Sequence, residues 1–262
     1  MQEINNLEVT VLKNPQLYNA IFHRKSIRKY NMTSLPADTL GKLQEYASST
    51  KPLDESIRYE FVYLGSADVK NLLPIKAPHY ICLYSQIKGN YLMNAGFLLQ
   101  QIDLYLSANN LASCWLGMAK PSKEVPKQIN GLEFVIMLAF GNTTEPIYRA
   151  NTSEFMRKSL SEISSVADAD SMLEPVRLAP SSSNTQPWFF SGDGDVMTVS
   201  RKKLNLLKAP FYGKMNQIDI GIALFHLWLS GNHQGKVVSY SFDKDAAPNG
   251  YEFMAKATIS MN

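Results

Sequence analysis

Ile21-Phe22-His23-Arg24-Lys25-Ser26-Ile27-Arg28 and Glu154-Phe155-Met156-Arg157-Lys158-Ser159-Leu160-Ser161 share the pattern Phe-x-Arg-Lys-Ser, 133 residues apart from Arg24 to Arg157. The same offset lays Ser48-Ser49 onto Ser181-Ser182. Further on, Ala95-Gly96-Phe97-Leu98-Leu99 and Ile220-Gly221-Ile222-Ala223-Leu224 open two apolar helical stretches, now at an offset of 125. A shared pattern that recurs at one offset and then drifts reads as a divergent tandem duplication, and a repeat governs how every element inside it is interpreted. The expected halves are residues 1–150 and 151–262, joined through the turn-rich stretch Gly141 to Ala150 with Pro146.

Composition agrees with two packed halves. The 262 residues are 45% hydrophobic and 19% charged, which excludes disorder. The longest apolar run, Phe134 to Phe140, is about a third of a bilayer span, so no membrane helix is expected. Met1 to Pro15 has no apolar core of the signal-peptide kind. Cys82 and Cys114 form no framework and no Cys-x-x-Cys pair, which suits a reducing, cytoplasmic location. A net charge of +3 gives no general basic bias towards nucleic acid.

Periodicity and punctuation give the elements. Asn14-Pro15 reads as a helix cap and first turn leading towards Arg24, and Pro36 starts a second helix running to about Ser48. Strands are expected at Tyr59–Leu64, His79–Tyr84, Ala112–Leu116 and Phe134–Phe140, with a long helix over Tyr91–Asn109 and a short one between Lys120 and Ile129. In the second half helices are expected over Asn151–Leu160, Ala169–Leu178 and Gln217–Ser230. Strands are expected at Trp188–Ser191, Val196–Arg201, Val237–Phe242 and Phe253–Ile259, the first two joined by a tight turn at Asp193-Gly194.

Most catalytic signatures are missing: there is no P-loop, no G-x-G-x-x-G, no G-x-S-x-G and no H-E-x-x-H. His23, His79, His226 and His233 lack ligand spacing and read as satisfied or surface imidazoles. Asp168, Asp170 and Glu174 lack the glycine and remaining ligands of a calcium loop. Asp219 reads as a charge near a helix start. No metal site and no catalytic side chain is expected.

Two segments stand out. Arg24-Lys25-Ser26-Ile27-Arg28-Lys29 gathers four cations and a hydroxyl around an apolar Ile27. It suits a phosphate, through charge-assisted hydrogen bonds, although the run alone reads more simply as a solvated basic helix end; a nucleic-acid patch ranks behind both. Leu178-Ala179-Pro180-Ser181-Ser182-Ser183-Asn184-Thr185-Gln186-Pro187-Trp188 crowds donors and acceptors into a proline-stiffened loop. It reads either as an ordinary capping turn or as a loop that hydrogen-bonds the edge of a flat heterocycle, with Trp188 walling the pocket.

Arg24 to Arg28 resembles the Arg-x-Ser-x-Arg flavin-phosphate motif of the FMN-dependent nitroreductase family. Pro180 to Trp188 is similar to that family's Pro-Ser-x-x-Asn-x-Gln-Pro-Trp loop. Asn94 to Gly117 resembles its central helix and following strand, echoed by Asp219 to Gly231. The resemblance implies an α+β fold of two tandem halves, each a mainly antiparallel sheet packed by helices. Typical members are homodimers that carry both motifs in each chain. Here the first loop is reduced to Ala47-Ser48-Ser49-Thr50-Lys51-Pro52, and Ser161 stands where Arg28 stands in the first copy. The expectation is a monomer acting as a fused pseudo-dimer, with one good flavin site and one degraded site.

On the family's pattern, Arg24, Ser26 and Arg28 would hold the FMN phosphate or the pyrimidine edge, with Lys25 a lesser contact and Arg149 an additional one. Pro180, Ser181, Ser182, Asn184 and Gln186 would meet the flavin from the opposite half, and the backbone of Gly117 would approach N5. The implied activity is ping-pong hydride transfer from NAD(P)H to a nitroaromatic, quinone or similar small-molecule acceptor. The alternative is a flavin-binding store or sensor without turnover.

Overall fold

The computed structural model describes residues 15–205 and 209–261. The cap expected at Asn14 lies outside the described residues. The chain divides into two compact units: residues 23–150, and residues 151–262 together with the described segment up to Phe22.

The leading helix, α1 (Pro15–Ile21), buries Leu17, Ala20 and Ile21. Its Tyr18 ring stacks on His233, with centroids 3.7 Å apart. A division at residue 150 alone would put this helix in the first half. Its apolar face and aromatic stack place it with the second.

In the unit of residues 23–150 the elements are α2 (Ala37–Ser48), β1 (Tyr59–Gly65), β2 (Val69–Asn71), β3 (His79–Ser85), α3 (Tyr91–Ala108), β4 (Ala112–Leu116), β5 (Ala119–Pro121), β6 (Gln128–Ile129) and β7 (Leu132–Gly141). The sheet runs β1-β3-β7-β4, antiparallel throughout, with β6 paired to β7. β3 and β7 are central, and Ile81, Cys82, Leu83, Met137, Leu138 and Ala139 are all fully buried. This is why both read as continuous apolar runs rather than as alternation. Asn130-Gly131, with φ of 52° and 77°, closes the β6–β7 hairpin as a two-residue turn of left-handed residues.

The helix expected between Lys120 and Ile129 is absent. Lys120 instead pairs with Lys70 across a small β2–β5 ladder, and the Ser122 N–H donates to the Asp68 carbonyl at 2.7 Å. Pro126 removes a donor that a helix in this stretch would use.

The other unit continues with α4 (Leu160–Ile163), α5 (Asp170–Arg177), β8 (Trp188–Gly192), β9 (Val196–Lys202), α6 (Ala209–His233), β10 (Lys236–Ser241) and β11 (Tyr251–Met261). Its antiparallel sheet runs β8-β9-β11-β10. Taken in chain order, the principal strands of both sheets are arranged first, second, fourth, third, with a long helix, α3 or α6, between second and third. The tandem repeat seen in the sequence is thus repeated in topology.

The helix expected over Asn151–Leu160 breaks up. Asn151 caps a single 3-10 turn over Thr152–Phe155, Met156 turns left-handed at φ 51°, and only Leu160–Ile163 is α-helical. α6 starts earlier than expected, so Asp219 lies in the helix interior rather than near its start.

His226 is fully buried and its Nδ1 donates to the Pro175 carbonyl at 2.7 Å. Cys82 and Cys114 are buried free thiols, and burial pushes the Cys82 thiol up to about 12. Among the described residues no helix is long and apolar enough to cross a membrane, and no cluster of three or more His, Cys, Asp or Glu is placed to hold a metal ion.

Candidate functional site

The basic segment is held extended by its neighbours. Arg24 bridges to Tyr148 and Ser26 to Ser113, while the Ile27 N–H donates to the Ser113 carbonyl at 2.9 Å. From the other side the Arg149 N–H donates to the His23 carbonyl at 2.8 Å, and the Arg149 guanidinium donates to the Arg24 carbonyl. Ile27, 1% exposed, plugs the segment into the core.

That anchoring sorts the cations. Arg24 is 2% exposed and its Nε stands 3.0 Å from the Asp103 carboxylate on α3, which is wholly buried. The same carboxylate accepts from the Ser113 hydroxyl at 2.6 Å and the Gln100 amide at 3.3 Å. A buried carboxylate needs both a cation and hydrogen bonds to offset desolvation, and it has them here. Arg24 Nη2 also donates to Ser26 Oγ at 3.2 Å. Arg24, expected as a phosphate ligand, is therefore committed to Asp103 and supports Ser26 from behind. Lys25 is half-buried and Arg28 exposed, and neither forms an ion pair with a described residue. Lys29 reaches Glu145 at 3.7 Å on the surface. Gly117 is exposed in the turn between β4 and β5.

The loop from Pro180 to Gln186 is rigid and internally bonded. Ser181 Oγ accepts from the Gln186 N–H at 2.9 Å, and the Asn184 N–H donates to the Ser181 carbonyl at 3.0 Å. Ser183, Asn184 and Gln186 have φ of 50°, 55° and 46°. Each left-handed non-glycine residue costs on the order of 1 kcal/mol, so the loop persists only because its surroundings dictate it. Gln186 is 3% exposed, its amide donating to the Asn184 carbonyl at 3.1 Å. Pro180 and Trp188 are buried, Trp188 at 1% exposure, so the indole belongs to the core rather than to a pocket wall. Ser183 and Asn184 are the exposed members, and Ser181, Ser182 and Thr185 are half-buried.

Sequence reasoning missed the residues that hold this loop. Asp219 Oδ1 accepts the Ser182 N–H at 3.0 Å. Burial raises the Asp219 carboxyl to about 8, against the lowering effect of that hydrogen bond. In the first unit Asn94 plays the same part, its Oδ1 accepting the Leu53 N–H at 2.8 Å and the Asp54 N–H at 3.2 Å. Asn94 and Asp219 stand 125 residues apart, the repeat offset of the two helices, so the signal was present in the alignment of the halves. Arg157 and Lys158, the second basic copy, also bind the loop.

The family described as "Putative TM nitroreductase" matches residues 16–231. Among solved structures, one titled a putative nitroreductase from Thermotoga maritima shares 19% identity over 92% of this chain and 93% of that one, with a TM-score of 0.61. A nitroreductase family protein from Clostridium difficile shares 17% identity over 56% of this chain and 94% of its own, with a TM-score of 0.43. An FMN-dependent nitroreductase from the same organism shares 19% over 53% and 92%, with a TM-score of 0.42. No curated protein matches the sequence. The Thermotoga likeness extends over nearly the whole of both chains and shows a shared fold. With its family model matched over most of the sequence, the chain belongs to the "Putative TM nitroreductase" family.

Proposed function

We propose that this chain is an FMN-dependent oxidoreductase that passes hydride from NAD(P)H to a nitroaromatic, quinone or similar acceptor in ping-pong fashion. One observation carries the reading: Lys25, Ser26 and Arg28 present two cations free of ion pairs and a hydroxyl on a segment held rigid by Ser113, Arg149 and the buried Arg24–Asp103 pair. That donor set fits a phosphomonoester, whose charge of nearly −2 and several acceptor oxygens suit ammonium, guanidinium and hydroxyl together.

Bound FMN supplies the two-electron chemistry; the protein supplies binding and orientation. Lys25 and Arg28 hold the phosphate, and Arg24 fixes Ser26 for the same oxygens. Gly117, lacking a side chain, leaves its backbone free to approach the reactive edge. One FMN per chain follows, in a monomer that acts as a pseudo-dimer.

The visible spectrum of the purified protein tests this. The expected result is a flavin spectrum, or its appearance on adding FMN, that bleaches with NADH or NADPH and returns on adding a quinone or nitrofuran. Lys25→Ala with Arg28→Ala should abolish flavin retention in a folded chain, because neither side chain is buried. A double variant that keeps a full complement of FMN would overturn the phosphate assignment. A flavin that stays oxidised with both nicotinamides would make the chain a flavin-binding protein without this turnover.

A further inference from the structure

The second basic copy differs from the first in what its side chains hold. Arg157 Nη1 donates to Asn184 Oδ1 at 2.5 Å and Nη2 to the Leu178 carbonyl at 3.3 Å. Lys158 Nζ donates to the carbonyls of Thr185, at 3.1 Å, and Gln186, at 2.9 Å, and the Lys158 N–H donates to Gln186 Oε1 at 2.8 Å. In return Asn184 Nδ2 donates to the Met156 carbonyl at 2.9 Å. Both cations are thus bonded to the loop that contains the left-handed residues Ser183, Asn184 and Gln186.

The remaining members of the copy are satisfied too. Ser159, the counterpart of Ser26, donates its hydroxyl to Glu162 at 2.9 Å, and its N–H donates to the same carboxylate oxygen at 2.8 Å. A carboxylate of the chain therefore takes the two donors that an anion would seek at this serine. Ser161, the counterpart of Arg28, brings no cation and lies 3.1 Å from Ser159 Oγ. In the first copy the corresponding groups are arranged otherwise: a buried carboxylate, Asp103, neutralises Arg24, and Lys25 and Arg28 remain unpaired.

We propose that the second copy of the basic motif has exchanged a phosphate for protein ligands. Arg157 and Lys158 are positioning residues that hold the Pro180–Gln186 loop in its strained form, and the chain keeps a single phosphate subsite, at Lys25, Ser26 and Arg28. The single-subsite part rests on the flavin reading above; the clamp does not. Arg suits position 157 because its fork serves Asn184 Oδ1 and the Leu178 carbonyl at once, which an ammonium at the end of a flexible stem does less well. The loss of Arg28's counterpart costs the clamp nothing, since no loop acceptor depends on it.

Two measurements on the full chain separate the parts. Amide hydrogen exchange without added flavin reads the clamp. Arg157→Ala should speed exchange of the Ser182 to Gln186 amides at least tenfold, with Arg157→Lys intermediate and the β9 and α6 amides unchanged. Titration of flavin-free protein with FMN, followed by quenching of flavin fluorescence, reads the subsite. The wild type should take up one equivalent, Arg157→Ala also one equivalent, and Lys25→Ala with Arg28→Ala none, its loop protection intact. Unchanged loop exchange in Arg157→Ala overturns the clamp whatever the flavin does. Should Arg157→Ala lose protection in β9 and α6 as well, Arg157→Lys decides, and a loop as protected as wild type in that variant overturns the clamp. Two equivalents in the wild type, falling to one in Arg157→Ala, overturn the single subsite. A wild type that takes up no FMN overturns the flavin reading, while faster loop exchange in Arg157→Ala would still establish the clamp.

Discussion

At Arg24 the cost of burying charge decides the side chain's role. Removing it would strand the wholly buried Asp103 without a cation, and breaking such a pair from one side costs about 3–5 kcal/mol. Arg24→Ala should therefore lower the urea midpoint by that equivalent, and Asp103→Asn added to it should recover part of the loss, since a neutral amide needs no counter-charge. Lys25→Ala, on a half-buried side chain without an ion pair, should change stability by less than about 1 kcal/mol. Asp219 makes a pH-dependent contribution. Its carboxyl stands near 8 in the folded chain against an ordinary 3.8, so between those values the folded state binds a proton that the unfolded state releases. Stability from this group is present at low pH and is lost as pH rises from about 4 to about 8. Asp219→Asn should remove that slope, so that its advantage in melting temperature over the wild type grows from pH 5 to pH 8; an equal difference at both would disprove it. The first unit already carries the amide, Asn94, at the equivalent place.

Among the elements, α6 shows how closely helix and sheet approach within a unit. A Cβ on Gly231 would run into Val238 Cγ2 on β10. Valine is stiff at χ1 and cannot swing aside, so Gly231→Ala should destabilise by about 1–3 kcal/mol despite alanine's better helix propensity. With Val238→Ala beside it the clash disappears and the sign should reverse by up to about 1 kcal/mol, read as the shift in thermal midpoint. The strands were legible because β3 and β7 are apolar runs of strand length, and α3 because its apolar residues recur at helical spacing over Tyr91–Ala108. Residues 120–129 and 151–160 were not. In both, hydrogen bonds to partners distant in sequence, from the Ser122 N–H to Asp68 and from the Lys158 N–H to Gln186, outweigh local helix preference.

For the molecule as a whole, the repeat is the organising fact. Both sheets carry the same strand order, each with its long helix inserted at the same place. Fusion of two copies lets them diverge independently, and the two basic copies have: one faces outward with Lys25 and Arg28, the other binds its own loop through Arg157 and Lys158. The proposed pseudo-dimer predicts a single species of 29.4 kDa by light scattering, with or without FMN, at micromolar concentration. A stable species of twice that mass would overturn it.

The repeat, the main strands and helices and the two motif segments could be read directly from the chain, because repeat offsets, hydrophobic period and turn residues are local quantities; the α+β class came with the family resemblance of the two motifs. The roles of individual cations could not. Arg24 and Lys25 are adjacent, as are Arg157 and Lys158, and nothing in their spacing says which is buried against a carboxylate, which is free and which holds a loop. That depends on Asp103, Asn184 and Gln186, brought up from elsewhere in the chain, since a charge's function is set by the groups that replace its water.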